Sequence, residues 1–323
     1  MRLNRADEVW LNELRSEYAT TLVGYNSPFE GSNLQARVQG FLKKPSDSLT
    51  EWTNQSEDYG VVMMFAQYLA DHYGEGVLKL ALASTQTGIP SVEDALAQVG
   101  SAEKFADIFQ NWAIANVINS VAAGSPRYAY RNQDLRAVRI SPSASFALGS
   151  GQSAVVSQST TPWAAWTYRF TGVGAALQLS FRGAAPTGSL FRVVAVVEQA
   201  DGSYVVRSFK LKDEVGALVV PDLGATARSV HVIAFDTLKT VGFTDKEPQA
   251  QFSLTAQLIN VELPVITAVR PFSASAGTIL SVEGRNFREG SRVFFNGIET
   301  NRVLVTSDTQ LEATVPTGLS GVV

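Results

Sequence analysis

The sequence has no cysteine and only two histidines, His72 and His231, among 323 residues. Without cysteine there is neither a disulfide framework nor thiolate chemistry. That suits the cytosol, and it equally suits bacterial secreted proteins that fold without disulfides. Positive charge is not in excess either: 26 Lys and Arg stand against 30 Asp and Glu, a net charge of −4. No basic field is available for nucleic acid or an anionic membrane, so neither is expected as a partner. Long apolar runs are also missing. The strongest, "VVMMFA" at 61–66, is far short of the ~20 residues that span a bilayer. The opening "MRLNRADEVWL" has no apolar segment of the signal-peptide kind, and Met1 stands close to a patterned helix. The expectation is a chain that begins inside a larger protein.

What is present is apolar material for real cores, 45% hydrophobic against 17% charged, over a length that suits two or three domains. Residues 1–124 read as helical. "DEVWLNELRSEYATTLVG" places Val9, Trp10, Glu13, Glu17 and Thr20 at steps of three and four, and Gly24 is a stop. "YGVVMMFAQYLADHYGEG" repeats the pattern with Val62, Phe65, Leu69 and Tyr73 up to Gly74. "VLKLALAS" is a shorter apolar helix, and "SVEDALAQVG" is expected to open on a capping box formed by Ser91 and Asp94. "SAEKFADIFQNWAIANVIN" puts Phe105, Ile108, Phe109, Trp112 and Ala115 on one face.

Residues 125–139 form a polar crossing segment, after which the period changes from 3.6 to 2. "WTYRFTG", "ALQLSF", "LFRVVAVVEQ", "SYVVRSFKL" and "SVHVIAFD" read as strands of a β-sandwich over 140–262, with Asp201-Gly202 as a hairpin turn. A third unit, 263–323, carries strands "ILSVEGRNF", "SRVFFNG" and "TQLEATVP" and a second turn at Asn296-Gly297. The fold class is multidomain α + β: an all-α part, a central β-sandwich and a C-terminal Ig-like sandwich.

Glu13 and Glu17 lie four apart, so a helix sets their Cβ atoms about 5–6 Å from each other on one face. Like charges there repel, and Arg15 is not on that face. Either the face is simply solvated, or a cation from elsewhere meets it. His72 sits near a helix C-terminus, where a cation is favourable, and His231 alternates with apolar strand residues. Trp163 and Trp166 could stack on sugars, but the alternation Trp166, Tyr168, Phe170 favours core packing.

"NELRSE" resembles the Asn-Glu-x-x-x-Asp/Glu element of gluzincin metallopeptidases, and "YGVVMMFAQYLADHYG" and "FADIFQNWAIANVIN" resemble later helices of bacterial secreted members. The resemblance covers residues 7–119. It implies Glu13 as the glutamate zinc ligand and Glu17 as the carboxylate that holds a ligand histidine by its free N–H. It further implies Tyr59 as a hydrogen-bond donor to the tetrahedral oxyanion, zinc as cofactor and a peptide or protein substrate in the intact parent, and a secreted or cell-surface location. The chain departs from the family in one respect: it contains no His-Glu-x-x-His, the element that supplies two imidazoles and the general base. This chain alone is therefore expected to carry no zinc and to be inactive on peptides. The alternative is a non-catalytic surface adhesion or binding protein, with a cell-surface or matrix ligand for its β domains.

"PVITAVRPFSASAGTILSVEGRNFREGSRVFFNG" resembles the IPT/TIG domain, an immunoglobulin-like fold, through Pro264, Ile266, Pro271, Gly277, Val293, Phe295 and Gly297. Gly277 and Gly284 are expected to supply turn conformations. Such domains continue into a last strand of the form Gly-x-Val-x-Val. Here the sequence reads "GLSGVV", so a missing or reduced last strand is expected.

Overall fold

The protein is described by a computed structural model, which covers residues 7–173, 175–184, 189–239, 249–259 and 264–317. It divides into two compact units, residues 1–259 and 260–323.

Among the described residues the first unit opens with six helices: α1 (Val9–Leu22), α2 (Asn33–Lys43), α3 (Ser56–Tyr73), α4 (Gly76–Ala83), α5 (Gly88–Gln98) and α6 (Phe105–Ile118). α3 is the axis of this layer. Val61, Val62, Met63, Met64, Phe65 and Ala66 are all buried in sequence, so neighbours cover it nearly all round. It starts where Asp58 accepts the backbone N–H of Thr53 and of Gln55, and it stops at Gly74, whose φ of +82° suits glycine. α2 is a helix that the sequence pattern above did not separate. Its signals are Ser32, whose hydroxyl accepts from Gln35 N–H, and buried Leu34, Val38 and Phe41. α5 begins at Gly88, three residues before the expected cap. Ser91 instead donates to Gly88 O, Asp94 accepts from Ser84, and Asp7 accepts the Gly88 N–H. The capping box expected at Ser91 and Asp94 is therefore replaced by a long-range cap.

Among the described residues nine strands follow: β1 (Ala144–Leu148), β2 (Ser153–Thr160), β3 (Trp166–Gly172), β4 (Ala175–Ala184), β5 (Phe191–Gln199), β6 (Tyr204–Ser208), β7 (Val215–Leu223), β8 (Ala227–Asp236) and β9 (Ala250–Ile259). They make two layers. In one, β1, β3, β8, β5 and β6 lie side by side. In the other, β7, β4, β9 and β2 do so, and the layers join at the Leu223–Ala227 pair. Phe191 on β5 meets Phe181 on β4 and Phe252 on β9 at ring distances of 5.3 and 5.6 Å, so the two layers enclose an aromatic-rich core. This is the β-sandwich that the period-2 pattern predicts. Asp201-Gly202 turns the β5–β6 hairpin, with Gly202 at φ +84°.

The helices cover the outer face of the first layer. Phe109 packs on Trp163 and Phe235, and Phe105 packs on Trp163. Val193 to Val197 on β5 are consequently all buried, alternate residues facing the sandwich core and the helices. Trp163 is a core residue, in line with the packing expectation. Residues 125–139 run against the helices through buried Tyr130 and Leu135. Among the described residues no helix is long and apolar enough to cross a membrane.

The second unit has a four-stranded antiparallel sheet in the order β10 (Val265–Arg270), β11 (Ile279–Arg285), β15 (Gln310–Thr314), β14 (Val303–Ser307). A two-residue hairpin, β12 (Phe294–Phe295) and β13 (Ile298–Glu299), turns at Asn296-Gly297 with φ of +48° and +84°, as the sequence leads one to expect. Its core is small: Val282, Phe287, Leu311 and Ala313, flanked by Val269, Val293 and Phe295. Gly277 has φ +84°, but Gly284 does not supply a turn. A Cβ there would fall 2.0 Å from Val265 O, so close strand approach is what requires glycine. The expectation about the last strand falls on residues 318–323, outside the described residues.

Candidate functional site

α1 presents Glu13 and Glu17 one turn apart, and α2 and α3 set the groups around them. Arg37 on α2 reaches across to Glu17, with Nε and Nη2 each donating at 2.8 Å, one to each carboxylate oxygen. Asn33 adds an N–H to the same carboxylate at 2.8 Å. Glu17 is buried, so this bidentate pair with a third donor meets a charge that water does not. Of the two readings open for that face, a cation does meet Glu17: Arg37, twenty residues on in sequence. Glu13, half-buried, has no hydrogen bond or ion pair among the described residues.

The Arg37 guanidinium also lies 4.6 Å from the centroid of the Tyr59 ring. Tyr59 stands in the first turn of α3, braced edge-on by Trp52 at 4.8 Å, and its hydroxyl donates to Asn54 Oδ1 at 3.1 Å. Two of the residues picked out by sequence, Glu17 and Tyr59, therefore share one guanidinium. Glycine permits that arrangement. A Cβ at Gly60 would lie 2.5 Å from Phe41 N and 2.8 Å from Arg37 O, and one at Gly40 would lie 3.1 Å from Ser56 O. α2 and α3 approach backbone to backbone at these two positions, which sets Arg37 beside Tyr59.

Asn12, the first residue of the Asn-Glu element, faces the other way. Its amide donates to Asp7 O and its oxygen accepts from Arg15, which is paired with Asp7. This network holds the start of α1. The two histidines lie elsewhere. His72 is at the far end of α3, about 20 Å along the axis from Tyr59 by helix rise, with Nε2 2.9 Å from Ala129 O. Burial lowers its pKa to about 4. His231 on β8 pairs with Arg169 and Val196, and burial with the nearby Arg169 lowers it to about 4 as well.

Among the described residues no three His, Asp or Glu side chains converge as a metal set. Among the described residues the donors around Glu13 fall short of tetrahedral zinc: Glu13 has one neighbouring carboxylate, Glu17, which is ion-paired, and no third His, Asp or Glu converges on them. Arg37 and Asn33 escaped the reading of the sequence because α2 was not separated there. The cap at Ser32 and the Leu34, Val38, Phe41 spacing were the available signal.

Comparison with known proteins places residues 264–323 in the IPT/TIG domain family. The chain is thus a mixed α and β protein with a C-terminal IPT/TIG domain. No curated protein matches the chain. Among solved structures, the pre-peptidase C-terminal domain of a collagenase from Bacillus anthracis is similar at 11% identity, over 36% of this chain and 97% of that chain, with a TM-score of 0.26. PliG, a periplasmic inhibitor of g-type lysozyme from Aeromonas hydrophila, is similar at 13% identity, over 36% of this chain and 99% of that chain, with a TM-score of 0.23. A family GH115 4-O-methyl-α-glucuronidase is similar at 11% identity, over 80% of this chain and 34% of that chain, with a TM-score of 0.21. Similarities this small fix neither fold nor function.

Proposed function

We propose that α1 to α3 are the part of a gluzincin-like zinc metallopeptidase domain that supplies the glutamate ligand, in a secreted or cell-surface protein. The observation that carries this reading is the unequal treatment of two carboxylates one turn apart. Glu17 is held by three N–H donors, while half-buried Glu13 makes no hydrogen bond or ion pair among the described residues. In this reading Glu13 is the carboxylate ligand and Glu17 the carboxylate that orients a ligand histidine. Tyr59, within reach of the same guanidinium, is the hydrogen-bond donor to a peptide substrate's oxyanion. The imidazoles and general base belong to a His-Glu-x-x-His helix that these 323 residues do not contain, so this chain alone cleaves no peptide. The β-sandwich and the IPT/TIG domain act as accessory modules, for stability or for a surface ligand.

Joining this chain to the natural sequence that precedes it tests the reading. The longer protein should bind one equivalent of zinc, and Glu13→Gln should weaken that binding. A preceding sequence without His-Glu-x-x-His, or zinc binding indifferent to Glu13→Gln, would sink the proposal. The second reading, a non-catalytic surface binding protein, draws on the core shared by the helices and the sandwich, which gives the helices a structural role without chemistry. A preceding sequence without that motif favours it.

A further inference from the structure

β2 is the outermost strand of the layer β7, β4, β9, β2, and among the described residues its one sheet partner is β9. The pairing is antiparallel and unbroken from Ser153 opposite Gln257 to Thr160 opposite Ala250. Leu258 N–H donates to Gln152 O at 3.1 Å, which marks residues 152 and 258 as a hydrogen-bonded pair. Antiparallel pairs alternate between hydrogen-bonded and non-bonded. Ala154, Val156, Gln158 and Thr160 therefore direct their backbone groups at β9, while Ser153, Val155, Ser157 and Ser159 turn theirs to the open side. None of these four N–H groups has an acceptor among the described residues. Of the four carbonyls only that of Ser159 is met, by the Gln158 side chain at 2.7 Å.

An open edge templates further pairing, and proteins blunt it with charge, proline, a bulge, a covering element or mere shortness. β2 shows none of these. Its eight residues, SAVVSQST, include no charge and no proline, and their register with β9 does not shift. Val155, near the middle, is 64% exposed. Other edges of the molecule are blunted. β7, at the far side of the same layer, follows Asp213 and Glu214 and contains Asp222. β6 carries Arg207, β10 carries Arg270, and uncharged β1 has only five residues. The β2 edge is also complementary to itself. About a dyad at Val156, a second β2 running antiparallel sets Ser153 opposite Ser159 and Val155 opposite Ser157. Every open position then meets another open position, and no like charges face each other across the line.

We propose that β2 is a dimerisation edge, on which a second copy of this chain lays its own β2 antiparallel about Val156 and joins two four-stranded layers into one sheet. The contact is isologous, so a single patch serves both copies. Main-chain hydrogen bonds at Ser153, Val155, Ser157 and Ser159 supply the attraction. A foreign strand would be selected by pockets or charges at alternate positions, and the outward side chains of β2 are Ser, Val, Ser and Ser, which offer neither. A second copy needs no such selection, because the unpaired positions already match. One strand pair buries a small area, which places the dimer among weak, reversible associations. The inference stands apart from any role of Glu13.

Sedimentation equilibrium of the 323-residue chain from about 1 to about 200 µM tests this, a range that brackets a weak dimer. The mass should climb from the 34.7 kDa of one chain toward twice that value. Val155→Lys sets a charge on the edge and should weaken the dimer at least about tenfold. Ser157→Pro removes an N–H that faces outward and spares the β9 ladder, so it should give a monomer with unchanged circular dichroism. Ser180→Lys is the control. Ser180 lies on the outer face of β4, in line with Thr255 and Val155 but two strands in from the edge, so this variant should dimerise as the wild type does. Hydrogen exchange needs no variant: the amides of Ser153, Val155, Ser157 and Ser159 should be slower at the highest concentration than at the lowest. A mass of one chain throughout, a dimer undiminished in Val155→Lys or Ser157→Pro, a dimer lost in Ser180→Lys, or exchange at the four amides indifferent to concentration would overturn the proposal.

Discussion

Arg37 grips Glu17 through two parallel hydrogen bonds of 2.8 Å and at the same time lies over the ring of Tyr59. One side chain of α2 thereby ties α1 to the first turn of α3. Of the four side chains Arg37, Glu17, Tyr59 and Glu13, Glu13 is the one that makes no hydrogen bond or ion pair among the described residues.

Removing the cation should be costly. Arg37→Met leaves a buried carboxylate with Asn33 as its one donor, and an uncompensated buried charge costs about 3–5 kcal/mol. Glu17→Gln should cost less, since the amide keeps its packing. Urea unfolding of both single variants and the double variant should show a coupling of about 1–3 kcal/mol. Additive effects would mean that the pair does not act as a unit.

Gly60→Ala should separate α2 from α3, because the new methyl would meet the Phe41 and Arg37 backbone at under 3 Å. Backbone cannot step aside as a side-chain tip does, so a loss of about 2 kcal/mol or more is expected. Gly76→Ala in α4 meets nothing within 4 Å and should be neutral or stabilising by up to about 1 kcal/mol. Equal effects at the two glycines would contradict the close helix contact.

Acid should destabilise the first unit through its histidines. His72 and His231 are both held at about 4 by burial, below the ordinary 6.5. A depressed base binds fewer protons folded than unfolded, so its contribution is present above pH 6.5 and is lost as pH falls toward 4. Each is worth on the order of 2 kcal/mol. Asp47 runs the other way. Its raised value means that stability falls as pH climbs from about 4 to about 6. His72→Gln should therefore flatten the acid loss between pH 6.5 and 4, and Asp47→Asn should steepen it, both read from chemical unfolding across that range.

Zinc should not bind this chain stoichiometrically. Dialysed protein is expected to hold well under one equivalent by elemental analysis and to show no chelator-sensitive cleavage of casein. One equivalent that disappears in Glu13→Ala would show that the donors already present suffice. Tyr59→Phe, which removes a single exposed hydrogen bond to Asn54, should shift stability by no more than about 0.5 kcal/mol. It is therefore a clean probe of the role proposed for Tyr59.

Much of the architecture was legible in local pattern. A 3.6-residue period runs through Ile118 and a period of two follows it, and Asp201-Gly202 and Asn296-Gly297 mark hairpins because positive φ comes readily only to glycine, asparagine and aspartate. The spacing of Glu13 and Glu17 showed two carboxylates on one face and left open whether water or a cation meets them. Periodicity reports which face of an element is apolar or charged, because it depends only on the element's own geometry. It does not report what covers that face. The burial of β5 on both sides was decided when α6 brought Phe109 onto Phe235. The partner of Glu17 was decided by the approach of α2 to α3 at Gly40 and Gly60. Those are contacts between elements distant in sequence, selected by shape and charge in three dimensions, and only the tertiary structure settles them.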